Sequence, residues 1–134
     1  MTGELHLSTA VKTDRLQAIV NRVDAAATPG HLKLYTAPQP ADGADPGSAV
    51  LLADVTLADP CGVVTGNVLA MTLPPGALVA LDGDVAWGRM TDGDGNWVGD
   101  GGAGAIGSGA FIQAANLHLY GGGLVGFVTA TITE

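Results

Sequence analysis

The stretch Gly83–Asp100, GDVAWGRMTDGDGNWVGD, constrains the fold more than any other part of the chain. Val85, Trp87, Arg89 and Thr91 alternate with Ala86, Gly88 and Met90, the period of two of a strand that shows two faces. Asp92-Gly93-Asp94-Gly95-Asn96 follows, made of residues that tolerate positive φ or bond back to their own backbone. An apolar run then resumes at Trp97-Val98, so the stretch reads as a β-hairpin. Both tryptophans of the chain lie in it. Trp87, mid-strand with Val85 two residues before it, is expected in the core.

Composition extends this reading. The 134 residues make one domain, 1–134, large enough for a real core. Hydrophobic residues are 47% of the chain and aromatics only 4%, so Leu, Val, Ile and Ala must fill that core. Twenty-one glycines fall between short apolar runs without a period, which suits many turns and small strands and excludes collagen. The net charge is −8, and Lys12, Arg15, Arg22 and Lys33 are four of the five basic residues. A surface so acidic repels phosphate backbones, so no nucleic-acid partner is expected. Met1–Ser8 has neither a basic start nor an apolar run, and no stretch approaches the ~20 apolar residues of a membrane span. A soluble protein made in a reducing cytoplasm is expected, and its single Cys61 can form no intrachain disulfide.

In chain order, Glu4–Ser8 alternates as a short first strand, so residues 1–8 are expected to be an N-terminal arm or edge strand. Thr13 is the expected N-cap of a helix from Asp14 to about Ala26. Leu16, Ile19, Val20 and Val23 recur at i, i+3, i+4 and i+7 as its apolar stripe, with Arg15 and Arg22 near solvent. Thr28-Pro29-Gly30 stops it. His31–Tyr35 and Val50–Leu57 read as strands, separated by an exposed Pro/Gly-rich loop, 36–48. Val63–Leu73 is a weaker run broken at Gly66-Asn67, and Ala77–Leu81 is short and apolar. Gly99–Gly109 reads as a glycine-rich bridge, Phe111-Ile112 and Leu117–Leu119 as short strands, and Leu124–Thr133 as a closing strand. About eight short strands with one N-terminal amphipathic helix predict a mainly β fold, an antiparallel β-sandwich or jelly roll.

Chemistry is sparse. Asp92, Asp94 and Asn96 at i, i+2 and i+4 resemble the start of a calcium loop, but Trp97 stands where glycine is needed and Ala103 where the bidentate glutamate belongs. His6, His31 and His118 are far apart and lie in or beside alternating strands. Cys61 has no histidine partner nearby in sequence and no basic setting. Gly101–Gly107 lacks the lysine of a phosphate loop. Asp82 and Asp84 flank Gly83 as an acidic corner. No catalytic, cofactor or metal residue is expected, and no cofactor.

The segments LSTAVKTDRLQAIV, ATPGHLKLYTAPQP, LLADVTLADP, VAWGRMTDGDGNWVGDG, GSGAFIQ and GGGLVGFVTATITE, in order from Leu7 to Glu134, resemble a family of small phage virion structural proteins. The chain departs from that family's pattern at Cys61-Gly62, Gly88 and Gly102–Gly104. The resemblance implies a non-enzymatic virion component, a capsid decoration (cement) protein on the shell surface. It would be made in the host bacterial cytoplasm and assemble with the major capsid protein and with copies of itself. The alternative is a tail or baseplate binding module, which a poverty of aromatic rings disfavours. Candidate partner-binding residues are Leu5 and Leu7 in the arm and Arg15 and Arg22 on the helix, with loop 36–48 as a second means of attachment.

Overall fold

The computed structural model describes residue 3, residues 5–126 and residues 128–134. The one helix among the described residues, α1 (Thr9–Val23), begins a turn earlier than the sequence predicts. Ser8, not Thr13, is the N-cap: its Oγ accepts the Val11 N–H at 3.2 Å. Asp14 therefore sits beyond the first turn, and Thr13 Oγ1 bonds the carbonyls of Thr9 and Gly66. The predicted stripe is otherwise correct. Leu16, Val20 and Val23 are buried and Ile19 packs beside them, whereas Arg15 and Arg22 face outward. Asp24 closes the helix and its carboxylate accepts the Cys61 N–H at 3.1 and 3.2 Å, tying the helix end to the backbone at Cys61.

Ten strands follow among the described residues: β1 (His31–Tyr35), β2 (Leu51–Thr56), β3 (Gly62–Thr65), β4 (Val68–Met71), β5 (Gly83–Asp84), β6 (Trp87–Thr91), β7 (Trp97–Gly104), β8 (Ile112–Ala114), β9 (His118–Leu119) and β10 (Val128–Thr133). Eight of them form one curled sheet, a half-barrel, in the order β2-β1-β6-β7-β8-β10-β4-β3, and β5 pairs with β9 separately. The protein is mainly β, as expected, but two facing antiparallel sheets are not what the strands make. β7 and β8 run parallel, through Ala103↔Ile112 and Gly104↔Gln113, so the sheet is mixed. No described residue of the N-terminal segment is in a strand: Gly3 and Leu5–Ser8 are irregular. Met1, Thr2 and Glu4 lie outside the described residues, as does Phe127, which falls within the expected strand Leu124–Thr133; the observed closing strand starts at Val128.

Of the glycine-rich stretch expected to be a bridge, residues 105–109 are outside any strand, but residues 99–104 instead make up most of β7. Its glycines let side chains lie directly on the backbone. Gly88 and Gly101 are cross-strand partners in β6 and β7. A Cβ at Gly101 would stand 2.5 Å from the Phe111 ring, and one at Gly88 would strike Ile112 Cδ1. The sheet is thin at this pair, and the chain entering β8 packs over it.

Trp87 is fully buried, as predicted. Its ring stacks on Tyr35 at 4.4 Å between centroids and 9° between planes, and its Nε1–H donates to the Thr36 carbonyl at 2.8 Å. α1 packs against β3, β4 and β7, and Leu16, Val20 and Val23 join Leu32, Leu34, Val55, Leu57, Leu69 and Ile112 in one core. Burying a Leu or Val side chain contributes about 1.5–3 kcal/mol, so a core of small aliphatics holds the curl with few rings.

Candidate functional site

The 36–48 loop is free of strands, as predicted, but it is fastened rather than loose. Thr36 and Val50 close its base with Thr36 N–H to Val50 O at 3.0 Å and Val50 N–H to Thr36 Oγ1 at 2.8 Å. Arg89 Nη2 donates to the Ala44 carbonyl at 2.7 Å, and the Trp97 ring lies against Gly43, whose φ is 74°. Arg89 and Asp100 face each other across β6 and β7 and pair through two bonds, 2.8 and 3.0 Å. Trp97 Nε1–H adds a third bond to Asp100 at 3.0 Å. Burial pushes the Asp100 carboxyl up, but the bonds from Arg89 and Trp97 outweigh it, so it stays below the ordinary carboxylate range. The same pairing holds the Arg89 guanidinium above its ordinary value. Arg89, the one base after Lys33, is thus committed to holding the loop.

The acidic turn is equally self-contained. Asp92 is buried and accepts bonds from Asn96 Nδ2 and from the backbone N–H groups of Asn96 and Asp94, at 3.0, 2.9 and 2.9 Å. The Asn96 side chain, then its backbone N–H, holds that carboxyl below its usual range. Those donors occupy the oxygens that a cation would need. Among the described residues no group of three or more His, Cys, Asp or Glu is placed to hold a metal.

Two histidines meet acids that are remote in sequence. His31 Nδ1 lies 2.8 Å from Asp54 Oδ1, and His118 Nδ1 lies 2.7 Å from Asp84 Oδ1 with Tyr120 edge-on to its ring. Local spacing gives no signal for either pair. Cys61 is fully buried, and burial followed by the Asp24 carboxylate pushes its thiol to about 12, far from a nucleophile's range.

The four residues predicted to bind a partner do not form one cluster. Leu5 is 84% exposed and Leu7 partly so, both in the irregular lead-in to α1. Arg15 Nε makes an ion-pair contact of 2.9 Å with Glu134 Oε2 without hydrogen-bond geometry. Arg22 has no ion-pair partner among the described residues.

An exposed apolar surface escaped the sequence reading. Residues 77–80 zip between the edge of β2 and residues 122–125: Ala53 bridges Val79, and Leu78 bridges Leu124. The bonds are Ala80 N–H to Leu52 O, Val79 N–H to Gly123 O and Val125 N–H to Ala77 O. Val79 and Val125 turn inward, which leaves Leu78 and Leu124 side by side on the outer face, 67% and 61% exposed. Leu81 and Tyr120, also exposed, flank them where Asp82 accepts the Gly121 N–H. Asp82 and Asp84 rim this end of the ribbon.

Comparison with known protein families, with curated proteins and with solved structures returned no match. No helix among the described residues is long and apolar enough to cross a membrane.

Proposed function

We propose that this protein is a non-enzymatic structural component of a bacteriophage virion, a capsid decoration (cement) protein that binds the assembled shell. The observation that carries the reading is the outward apolar ribbon of Leu78, Leu81, Tyr120 and Leu124, large side chains that gain free energy only when a partner covers them. The placement in a virion rests on the family resemblance that runs from Leu7 to Glu134. Four polar or reactive groups support an assembly role because they are occupied structurally: Cys61 in the core, Asp92 in its turn, Arg89 and Asp100 in fastening the loop.

The test is the protein's position in particles of the phage that encodes it. Labelling of intact virions should place it on the shell, and purified protein added to shells that lack it should bind saturably and raise their disruption temperature. Labelling confined to the tail would replace this reading with the tail or baseplate module. Absence from purified virions would overturn both.

A further inference from the structure

Five aspartates of this chain stand directly before a glycine: Asp42, Asp82, Asp92, Asp94 and Asp100. At such a step the glycine nitrogen can approach the aspartate Cγ, because the glycine has no Cβ to stand in the way. The five sites differ in what surrounds them. A Cβ built on Gly43 would meet the Trp97 ring at 2.6 Å, one on Gly83 would meet Leu52 Cδ2 at 2.9 Å, and one on Gly101 the Phe111 ring at 2.5 Å. Gly93 lies against the carbonyl and hydroxyl of Thr28. Around Gly95 nothing lies within 4 Å. Asp94 and Gly95 are both exposed, and the Asp94 carboxylate makes no hydrogen bond or ion pair among the described residues. Asp92 and Asp100 instead accept the bonds described above, and Asp82 accepts the Gly121 N–H. Gly95 N–H closes the turn on the Asp92 carbonyl at 3.1 Å, a bond at an exposed tip.

We propose that Asp94-Gly95 is a site of spontaneous aspartate isomerisation, the one of the five that reacts in the folded protein. The Gly95 nitrogen attacks Asp94 Cγ. The N–Cγ bond forms, the Cγ–OH bond breaks, and the amide proton and the hydroxyl leave as water. Water then opens the five-membered imide. Cleavage at Cγ restores aspartate, and cleavage at the main-chain carbonyl carbon gives isoaspartate, whose backbone runs through Cβ. The water released is taken up again, so no other reactant is needed. The carboxyl loses its hydroxyl from the acid form, and the donors around Asp92 and Asp100 hold those two in the ionised form. The consequence falls on the hairpin. The N–H groups of Asp94 and Asn96 both reach the Asp92 carboxylate at 2.9 Å, and Asp92 N–H donates to the Asn96 carbonyl at 3.0 Å. An extra backbone atom between residues 94 and 96 puts that spacing out of register. Trp97, whose ring packs on Gly43, follows directly. The reaction concerns the chain alone and stands apart from the assembly reading.

Ageing the purified protein at neutral pH tests this. Peptide mapping with electron-transfer fragmentation, which breaks the extra Cα–Cβ main-chain bond of isoaspartate, locates each event. Isoaspartate should accumulate at Asp94, and at least about tenfold more slowly at Asp42, Asp82, Asp92 and Asp100. In urea, where the packing is gone, the five sites should react at similar rates. Asp94→Glu can close only a slower six-membered ring, so its signal at this position should vanish. Far-UV circular dichroism checks that its fold is kept, and Asp94→Ser replaces it where the glutamate disturbs the turn. Aged wild type should melt below fresh protein, whereas the aged variant should not. A folded chain that reacts equally at all five sites, or first at Asp42, overturns the assignment. So does a folded chain that leaves Asp94 unchanged. An equal fall in melting temperature in the variant overturns the consequence for the hairpin.

Discussion

Replacing Trp87 with alanine tests the core in one step. The side chain is fully buried, stacked on Tyr35, and bonded through Nε1–H to the Thr36 carbonyl. Truncating a buried Trp costs about 3–5 kcal/mol in lost transfer energy and residual cavity. Leaving the Thr36 carbonyl without its donor adds ~1 kcal/mol. Because Thr36 also closes the base of the 36–48 loop, that second loss weakens the loop's anchorage as well. The total, about 4–6 kcal/mol, is comparable with the whole stability of many domains. Urea denaturation followed by far-UV circular dichroism should therefore show Trp87→Ala unfolded or close to it at 25 °C. Trp87→Phe keeps a ring against Tyr35 and drops only the hydrogen bond and some volume, so it should lose about 1–2 kcal/mol. A Trp87→Ala protein melting within two degrees or so of wild type would refute the placement of this ring and the hydrogen bond with it.

Other outcomes follow from the same packing. Gly101→Val should cost about 1–3 kcal/mol in denaturant titration, because even a Cβ would meet the Phe111 ring at 2.5 Å; unchanged stability would show that Phe111 does not lie over this glycine. Asp100 and Asp92 have folded-state pKa values below their unfolded ones, so the folded chain binds fewer protons. Their stabilisation is complete above the unfolded value, about 3.9, and is lost as pH falls through the lower folded value. Melting temperatures recorded from pH 6 to pH 2 should drop on the acid side, and Asp92→Ala should flatten that drop. Cys61, with its thiol near 12, should resist an aromatic disulfide reagent at pH 8 in the native state and react promptly in urea.

The hairpin was legible because Asp92–Asn96 is a strong turn signal and β6 alternates cleanly on the way into it. The buried stripe of α1 was legible for the same reason, periodicity. The start of α1 was not: Ser8 and Thr13 are both good caps, and the intervening Thr9, Ala10 and Val11 add no decisive apolar spacing. The start of β7 at Trp97-Val98 belonged to that hairpin, but its continuation to Gly104 was missed because glycine has no side chain to alternate, and what makes it a strand is the pairing of Gly99–Gly102 with Trp87–Met90. The sandwich expectation failed at β7–β8. A parallel pair joined by the short connection 105–111 leaves no local trace, since the usual crossover is a dozen residues or more. The ribbon was hidden differently. Alternation in Ala77–Leu81 distinguishes two faces, but only the partner strands decide which one meets solvent. The His31–Asp54 and His118–Asp84 pairs depend on tertiary contact and had no signal in spacing at all.

The place of β10 in the sheet bears on how the protein is made. Within that sheet the β3–β4 hairpin connects to the remainder only through β10, which pairs with β4 on one side and β8 on the other. A ribosome produces β3 and β4 long before β10, so during synthesis no strand pairing joins the hairpin to the β2-β1-β6-β7 set, and only α1 packs on both. Each then presents a strand edge that β8 or β10 will later cover, the kind of exposed edge that recruits neighbouring chains. Closing the sheet pairs Thr131–Thr133 with residues more than sixty positions away, a step with a high entropic cost that favours slow completion. The nascent protein is thus most vulnerable to mispairing just before β10 appears, and most in need of dilution or a chaperone at that moment.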